Sequence, residues 1–190
     1  MERAIACLPA PSPAYIVTAE TAAHVPERET LLDRAMGPAR RRKSSEKLRR
    51  GRRPSEGLSF VALSAAGTVV GTVRLWDLSL GEGGQTALLL GPLAVDPSLK
   101  SAGIGKALML NAISESRRLG HRAILLVGDE AYYARFGFFS DKTGNLAMPG
   151  PYERQRFLAI ELADGALDGA HGVLKATGRK ARPEPERLAA

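Results

Sequence analysis

Cysteine is nearly missing from this chain of 190 residues: Cys7 stands alone, and a single thiol forms no internal disulfide. Histidine is scarce as well. His24, His121 and His171 lie far apart, none with a cysteine or second histidine close by, so neither a structural zinc site nor any other metal is expected. Long apolar runs are absent. The run that starts at Ala87 breaks at Gly91 and Pro92, far short of the roughly 20 residues that cross a bilayer, so no membrane partner is expected. Residues Met1 to Pro13 carry Glu2 and Arg3 and lack the apolar stretch of about 7 to 15 residues that marks a secretory signal. The expected location is the cytoplasm.

What is present suffices for one core. Hydrophobic side chains make up 44% of the chain, the mix of one ordinary soluble domain with short tails. The charge is lopsided. Between Arg40 and Arg53 nine Lys or Arg stand against one acid, Glu46, whereas the rest of the chain holds 18 basic and 19 acidic residues. The net charge of +7 therefore belongs to one segment and implies no basic field over the whole surface. A charge run of this kind is most simply a solvated helix face and loop. Its functional readings are nucleic acid or an acidic ligand, but little aromatic interleaving offers stacking, so nucleic acid is not an expected partner.

Residues 1–13, proline-rich from Leu8, read as a flexible leader, 14–174 as the folded domain, and 175–190, with Pro183, Pro185 and mixed charges, as a disordered tail. Tyr15 to Ala19 has strand propensity. Thr21, Pro26 and the acids Glu27 and Glu29 open a helix that Gly37-Pro38 stops, and Ser44 to Arg50 forms a short second helix ended by Gly51. Leu58 to Leu63 and Thr68 to Leu75 flank a turn at Ala66-Gly67 and form an antiparallel hairpin. Gly81 to Gly84 is a loop. Ala87 to Val95 is apolar throughout, as a strand buried on both faces must be, yet it contains Gly91-Pro92. Proline cannot donate to a ladder and glycine weakens a strand interior, so this pair predicts a bulge or a place where neighbouring strands part. A helix from Gly103 to Leu119 follows, its first ten residues apolar nearly all round, with Gly120 closing it. Ala123 to Val127 is a buried strand, Ala131 to Arg135 a short helix and Arg156 to Leu162 the last strand. The predicted class is α/β with α+β character: one central mixed sheet with helices on its faces.

Chemistry concentrates at Lys100, Ser101, Ala102, Gly103, Ile104, Gly105 and Lys106, between a buried strand and a buried helix. Glycine lets backbone approach a ligand closely, and the unpaired amides of a first helical turn carry about half a positive charge, so the segment is an anion cradle. Neither familiar nucleotide loop fits. A P-loop needs glycine where Lys100 stands and Ser or Thr where Ala107 stands, and a dinucleotide fingerprint needs a third glycine at Leu108. No GxSxG elbow or Cys–His pair is present, so an acyl-enzyme route is not expected.

Three motifs in order, Leu93-Ala-Val-Asp-Pro97, Lys100-x-x-Gly103-x-Gly105 and Tyr133-Ala-Arg-Phe-Gly137-Phe138, resemble the GNAT superfamily of acetyl-CoA-dependent N-acetyltransferases, nearest its YhbS-like group. Lys100 departs from the Gln or Arg usual there. The resemblance covers about residues 14 to 162 and implies the GNAT-type acyl-CoA N-acyltransferase fold, with a splayed pair formed by the fourth and fifth strands. It implies acetyl-CoA as co-substrate, with Leu93, Ala94 and Val95 giving backbone contacts to the pantetheine arm and Lys100 to Lys106 wrapping the pyrophosphate. It implies Tyr133 as the catalytic acid, since a departing thiolate needs a proton and a phenol of pKa about 10 can supply it. Asp129 suits a helix N-cap rather than catalysis. No general base stands out: the strand Ala87 to Val95 has no acid, Glu82, Asp77 and Glu130 are candidates acting directly or through water with none favoured, and a preorganised site without a single base is the alternative. The resulting expectation is transfer of acetyl to a primary amine by direct attack. The competing readings are an acyl-CoA-binding regulator with little turnover and a nucleic-acid module using the basic run. The amine acceptor, small molecule or protein, and the oligomeric state are left open, because a GNAT resemblance fixes the donor alone.

Overall fold

Continuous apolar runs mark the centre of the sheet because both of its faces are covered. The structure, a computed structural model, describes residues 15–181. Strands β1 (Tyr15–Ala19), β2 (Ser59–Ser64), β3 (Val69–Ser79) and β4 (Thr86–Val95) form an antiparallel meander, and β5 (Ala123–Val127) joins β4 in parallel. A parallel neighbour needs a crossover, which α3 (Ile104–Arg118) supplies. The expected last strand is β7 (Phe157–Glu161), antiparallel to β5, giving the order β1-β2-β3-β4-β5-β7. Along β4 and β5, Leu88, Leu90, Ile124 and Leu126 pack with Leu108, Met109 and Ala112 of α3. The alternate residues Ala87, Leu89, Ala123 and Leu125 pack on the opposite face with Trp76, Leu78 and Phe157. Each strand is thus apolar at every position for a two-sided reason.

Helix α1 (Val25–Met36) follows a single 3₁₀ turn, Ala22–His24, and packs Leu31 on Val61 and Val69, on the face away from α3. Helix α2 (Glu46–Arg49) is shorter than the expected Ser44 to Arg50 and is anchored by buried Leu48. Helix α4 (Glu130–Tyr133) continues into a 3₁₀ turn, Ala134–Phe136, and Asp129 caps it, accepting from the Ala131 amide at 3.2 Å. Leu110 of α3 is 50% exposed, so the front of that helix is buried on one side and not all round. Gly71 is where α3 comes nearest the sheet: a Cβ there would stand 2.7 Å from Ile104 Cγ2 and 2.9 Å from Leu108 Cδ1. Gly71→Val is therefore expected to overpack the core and cost about 1–3 kcal/mol, read as a Tm several degrees lower in a thermal melt.

Three short strands escaped the sequence reading. β6 (Asn145–Ala147) and β8 (His171–Val173) pair in parallel as a small separate sheet, and β9 (Lys175–Ala176) pairs with Leu78 and Ser79 of β3. The tail expected to be disordered from Lys175 is consequently ordered through Ala181, with Gly178 N donating to Asp77 O at 3.2 Å and Ala181 N to Gly51 O at 2.9 Å. Composition misled because backbone donors and acceptors on the edge of β3 beyond β2 recruit a strand whatever its side chains. The expected leader at 1–13 and the tail past residue 181 lie outside the described residues. Among the described residues no helix is long and apolar enough to cross a membrane.

Candidate active site

The predicted break in β4 is present. Val73 faces Leu93 and Leu75 faces Leu90, so Gly91 and Pro92 together oppose the single residue Arg74, which is a β-bulge; Gly91 has φ +135°, where a side chain is strained. The Gly91-Pro92 bond is cis. Pairing with β5 stops before the bulge, at Leu89 with Leu125, so Leu93, Ala94 and Val95 keep β3 on one side and, among the described residues, have no strand partner on the other. The sheet opens there.

At the end of β4, Asp96 accepts from the Ser98 amide at 3.0 Å and starts the turn Pro97–Leu99. The chain then enters α3 through left-handed residues, Ser101 at φ 71° and Gly103 at φ 79°. The first helical bond is Ala107 N to Gly103 O, which leaves the amides of Ile104, Gly105 and Lys106 without a backbone acceptor among the described residues. Lys100, Ser101, Ala102 and Lys106 are exposed around these amides, and Ile104 is buried beneath them. A Cβ at Gly105 would lie 2.8 Å from the Tyr132 hydroxyl and 3.6 Å from Val95 Cγ2, so the first turn of α3 closes directly on the free end of β4. The ten residues from Leu93 to Lys106 singled out in the sequence thus form one continuous wall.

Tyr133 lies across the opening. Its ring stands edge-on to Tyr132, with centroids 4.9 Å apart, and to Phe138 at 6.1 Å. Its hydroxyl has no hydrogen-bond partner among the described residues. Burial, with the neighbouring Tyr132 adding to it against a small opposing pull from Arg156, pushes the phenol up to about 12. Gly128, which the sequence reading passed over, makes room for this ring: a Cβ there would fall 2.2 Å from Tyr133 Cε2.

A cavity of about 620 Å³ extends from the opening. Leu90 to Leu93 of β4, Leu126 and Val127 of β5, and Tyr133 form one end, while residues of α1, α2 and the basic run form the other. The basic run is in large part the solvated face expected of it, with Arg41, Arg42, Lys43, Lys47, Arg50 and Arg53 exposed, but two of its cations turn inward: Arg49 is 9% and Arg40 12% exposed, held by ion pairs to Glu46 at 3.1 Å and Glu29 at 2.6 Å. Trp76, packed on the face opposite α3, donates from Nε1 to the Gly91 carbonyl at 2.6 Å and so pins the bulge. Asp77, Glu82 and Glu130 lie outside this cavity; its acids are Glu29 and Glu46. Burial pulls the Glu29 carboxyl upward, but hydrogen bonds from Arg40 and Arg28 outweigh it and hold the group below the usual range. Glu29 is therefore an ionised partner of arginines rather than a strong base. The acids of the cavity had no signal in the sequence, because they sit on helices that reach the site only through tertiary packing.

Residues 25–138, more than half of the chain, match the acetyltransferase (GNAT) family. The uncharacterized N-acetyltransferase YhbS of Escherichia coli K12 is 29% identical over 118 residues, covering 62% of this chain and 71% of the relative. The crystal structure of the GNAT family N-acetyltransferase YhbS from Escherichia coli in complex with CoA superposes with a TM-score of 0.74 at 25% identity, over 90% of this chain and 94% of that one. A GNAT family acetyltransferase from Brucella melitensis, solved with acetyl-CoA, shares the fold with a TM-score of 0.58 at 24% identity, over 83% of this chain and 100% of that one. A split sheet, an amide-lined turn at its mouth and these matches make one conclusion: this chain belongs to the GNAT family of N-acetyltransferases.

Proposed function

We propose that this chain transfers the acetyl group of acetyl-CoA to a primary amine by direct attack within a ternary complex, with Tyr133 as the acid that protonates the departing sulfur. The observation that carries the reading is the opening of β4 from β5 past Leu89, which leads to unpaired amides at one end and to the Tyr133 cavity at the other. The residues fit the donor. The free edge of Leu93, Ala94 and Val95 suits an amide-bearing arm that completes the ladder, and Lys100 to Lys106 suits a pyrophosphate, since amides, a helix terminus and two lysines converge there without an acid. Among the described residues the cavity lining has no cysteine or histidine, and the proposed route is attack by the amine itself rather than through a covalent intermediate. With both acids of the cavity in ion pairs, the ammonium loses its proton to water within the cavity, and positioning rather than a dedicated base does the rest.

The test is acetyl-CoA titration by calorimetry together with a thiol-release assay against a panel of amines. One-to-one binding and turnover of an amine bear the proposal out. Binding without turnover above background leaves an acyl-CoA-binding protein with little activity, and no binding removes the donor itself. The cradle has its own test in Gly105→Glu. A carboxylate placed on the first turn of α3 satisfies the amides and repels a pyrophosphate, so KM for acetyl-CoA is expected to rise at least tenfold, while kcat at saturating donor changes far less. An unchanged KM in that assay would remove Lys100 to Lys106 from the donor site.

A further inference from the structure

Part of the basic run borders the cavity at the place where an acceptor must enter, and Arg40 and Arg49 turn inward there. Arg40, Arg41, Lys43, Arg49 and Arg50 line the cavity beside Tyr133, and Arg74 joins them from β3, opposite the bulge. Four acids meet these six cations, and all are committed: Glu29 holds Arg28 at 2.7 Å, Arg40 at 2.6 Å and Arg41 at 3.6 Å, Asp33 holds Arg40 at 2.8 Å, Glu46 holds Arg49 at 3.1 Å, and Glu20 stands 3.5 Å from Arg74. The cavity keeps a surplus of positive charge.

Arg49 shows where that surplus points. Its side chain is nine-tenths buried; Nη2 meets Glu46 and, at 3.4 Å, Ser45 Oγ, while Nη1 and the buried Nε have no acceptor among the described residues. Nη1 would stand 3.6 Å from a Cβ on Gly91, which places the guanidinium at the bulge itself. Arg74 backs it. Its buried Nε makes no hydrogen bond and stands 3.5 Å from Glu20 Oε2 as an ion pair, and its guanidinium lies 4.9 Å over the ring of Trp76, the side chain that pins the Gly91 carbonyl. Burial drags the ionisation of both arginines below the ordinary range, and neighbouring cations add to it: Arg40 acts on Arg49, Arg28 and Arg49 act on Arg74, while Glu46 and Glu20 oppose. A buried guanidinium with open donors is costly alone and strongly favourable to an oxyanion that completes its hydrogen bonds. The concave setting and a volume of about 620 Å³ suit a small molecule with one such group, not the spaced phosphates of a nucleic-acid strand.

We propose that the acceptor is a small primary amine bearing an oxyanion, carboxylate or phosphate, and that Arg49, backed by Arg74, binds that oxyanion beside the point of acetyl transfer. The proposal names the acceptor class for the reaction proposed above and rests on it. Two measurements keep the two apart. In the first, which needs no turnover, the CoA-saturated protein is titrated calorimetrically with N-acetylglycine, N-acetylaminoethyl phosphate and the neutral N-acetylethanolamine. At least one charged probe is expected to bind tenfold or more tightly than the neutral one, and Arg49→Gln and Arg49→Lys are each expected to bring the ratio close to one. No binding by any probe, equal affinities, or a ratio that survives Arg49→Gln overturns the anion site.

In the second, thiol release is followed with amino acids, aminoalkyl phosphates and neutral amines of matched length. Anionic acceptors are expected to show kcat/KM at least tenfold above their neutral counterparts, and whether the amino acids or the phosphates show it identifies the oxyanion. Turnover that ignores charge overturns the anion site and leaves acetyl transfer standing. A charge preference in binding with no turnover of any amine retires acetyl transfer and leaves the anion site. Retained acetyl-CoA affinity reports that each variant has folded. If Arg49→Gln does not fold, competition in the wild type decides: inorganic phosphate or acetate must raise KM for the amine, and no rise overturns the proposal.

Discussion

Tyr133→Phe is expected to lower kcat by about 100-fold or more and to change the affinity for acetyl-CoA little, if Tyr133 is the acid proposed above. The expectation follows from the site's own arrangement. The variant keeps the ring, so the edge-on contacts with Tyr132 and Phe138 survive and the loss reports the hydroxyl alone. As the amine nitrogen closes its bond to the acetyl carbon, the carbon–sulfur bond breaks and the sulfur leaves with the phenolic proton. The proton released by the amine then returns through cavity water to the tyrosinate. Burial keeps the phenol protonated up to about 12, so the acid is present at every working pH. That fixes the pH profile. The acid form is the active one and is lost only as pH rises toward about 12, so a descending limb of kcat near pH 10, the ordinary phenol value, contradicts the assignment. Steady-state thiol release on the two proteins measures both; equal kcat would return Tyr133 to packing.

The acceptor side of the site follows a different logic from the donor side. The proposed donor side is built from backbone: a free strand edge, a left-handed turn and amides without a backbone acceptor, all produced by residues close in sequence between Leu89 and Lys106. Acceptor recognition uses side chains brought from far apart, with Arg49 and Glu46 from α2, Arg74 and Trp76 from β3, and Glu29 from α1. The two halves meet at Gly91-Pro92. The bulge opens the sheet for the donor, and the Gly91 carbonyl, held by Trp76, anchors the ring on which Arg74 rests. Donor and acceptor geometry are in this way set by one irregular pair of residues.

The same division explains what could be read in advance. Ala87 to Val95 and Ala123 to Val127 were legible as central strands because burial on both faces leaves no polar position, and the break at Gly91-Pro92 because proline and glycine act on their own backbone. The turn into α3 at Gly103 was legible for the same local reason. The basic run shows the limit. Its nine cations were plain, yet whether they faced water or a cavity depended on where Leu48 anchors α2 against the sheet, and no local pattern records that. Order in residues 175–181 was hidden likewise, since it comes from backbone pairing with Leu78 and Ser79, roughly 100 residues earlier in the chain, which no local pattern records. Gly128 was hidden because its reason is another residue's ring.

That ring makes Gly128→Ala the second large effect. Gly128 is buried and its amide donates to the Arg156 carbonyl at 2.8 Å, so its backbone is held. An added Cβ would meet Tyr133 Cε2 at 2.2 Å, Cδ2 at 2.8 Å and Leu126 Cδ1 at 3.1 Å. An aromatic ring wedged between Tyr132 and Phe138 cannot yield like the end of a flexible side chain, so it must turn or shift, at a cost of about 1–3 kcal/mol of stability. Moving a catalytic group by about 1 Å is worth roughly 100-fold in rate, and kcat is expected to fall by that order with KM for acetyl-CoA nearly constant. Gly128 is thus a positioning residue, and the double variant Gly128→Ala with Tyr133→Phe distinguishes this from general damage. If Gly128 acts through the hydroxyl of Tyr133, adding its substitution to Tyr133→Phe lowers Tm further but leaves kcat where Tyr133→Phe alone put it. Losses in kcat that multiply would show that Gly128 matters by another route.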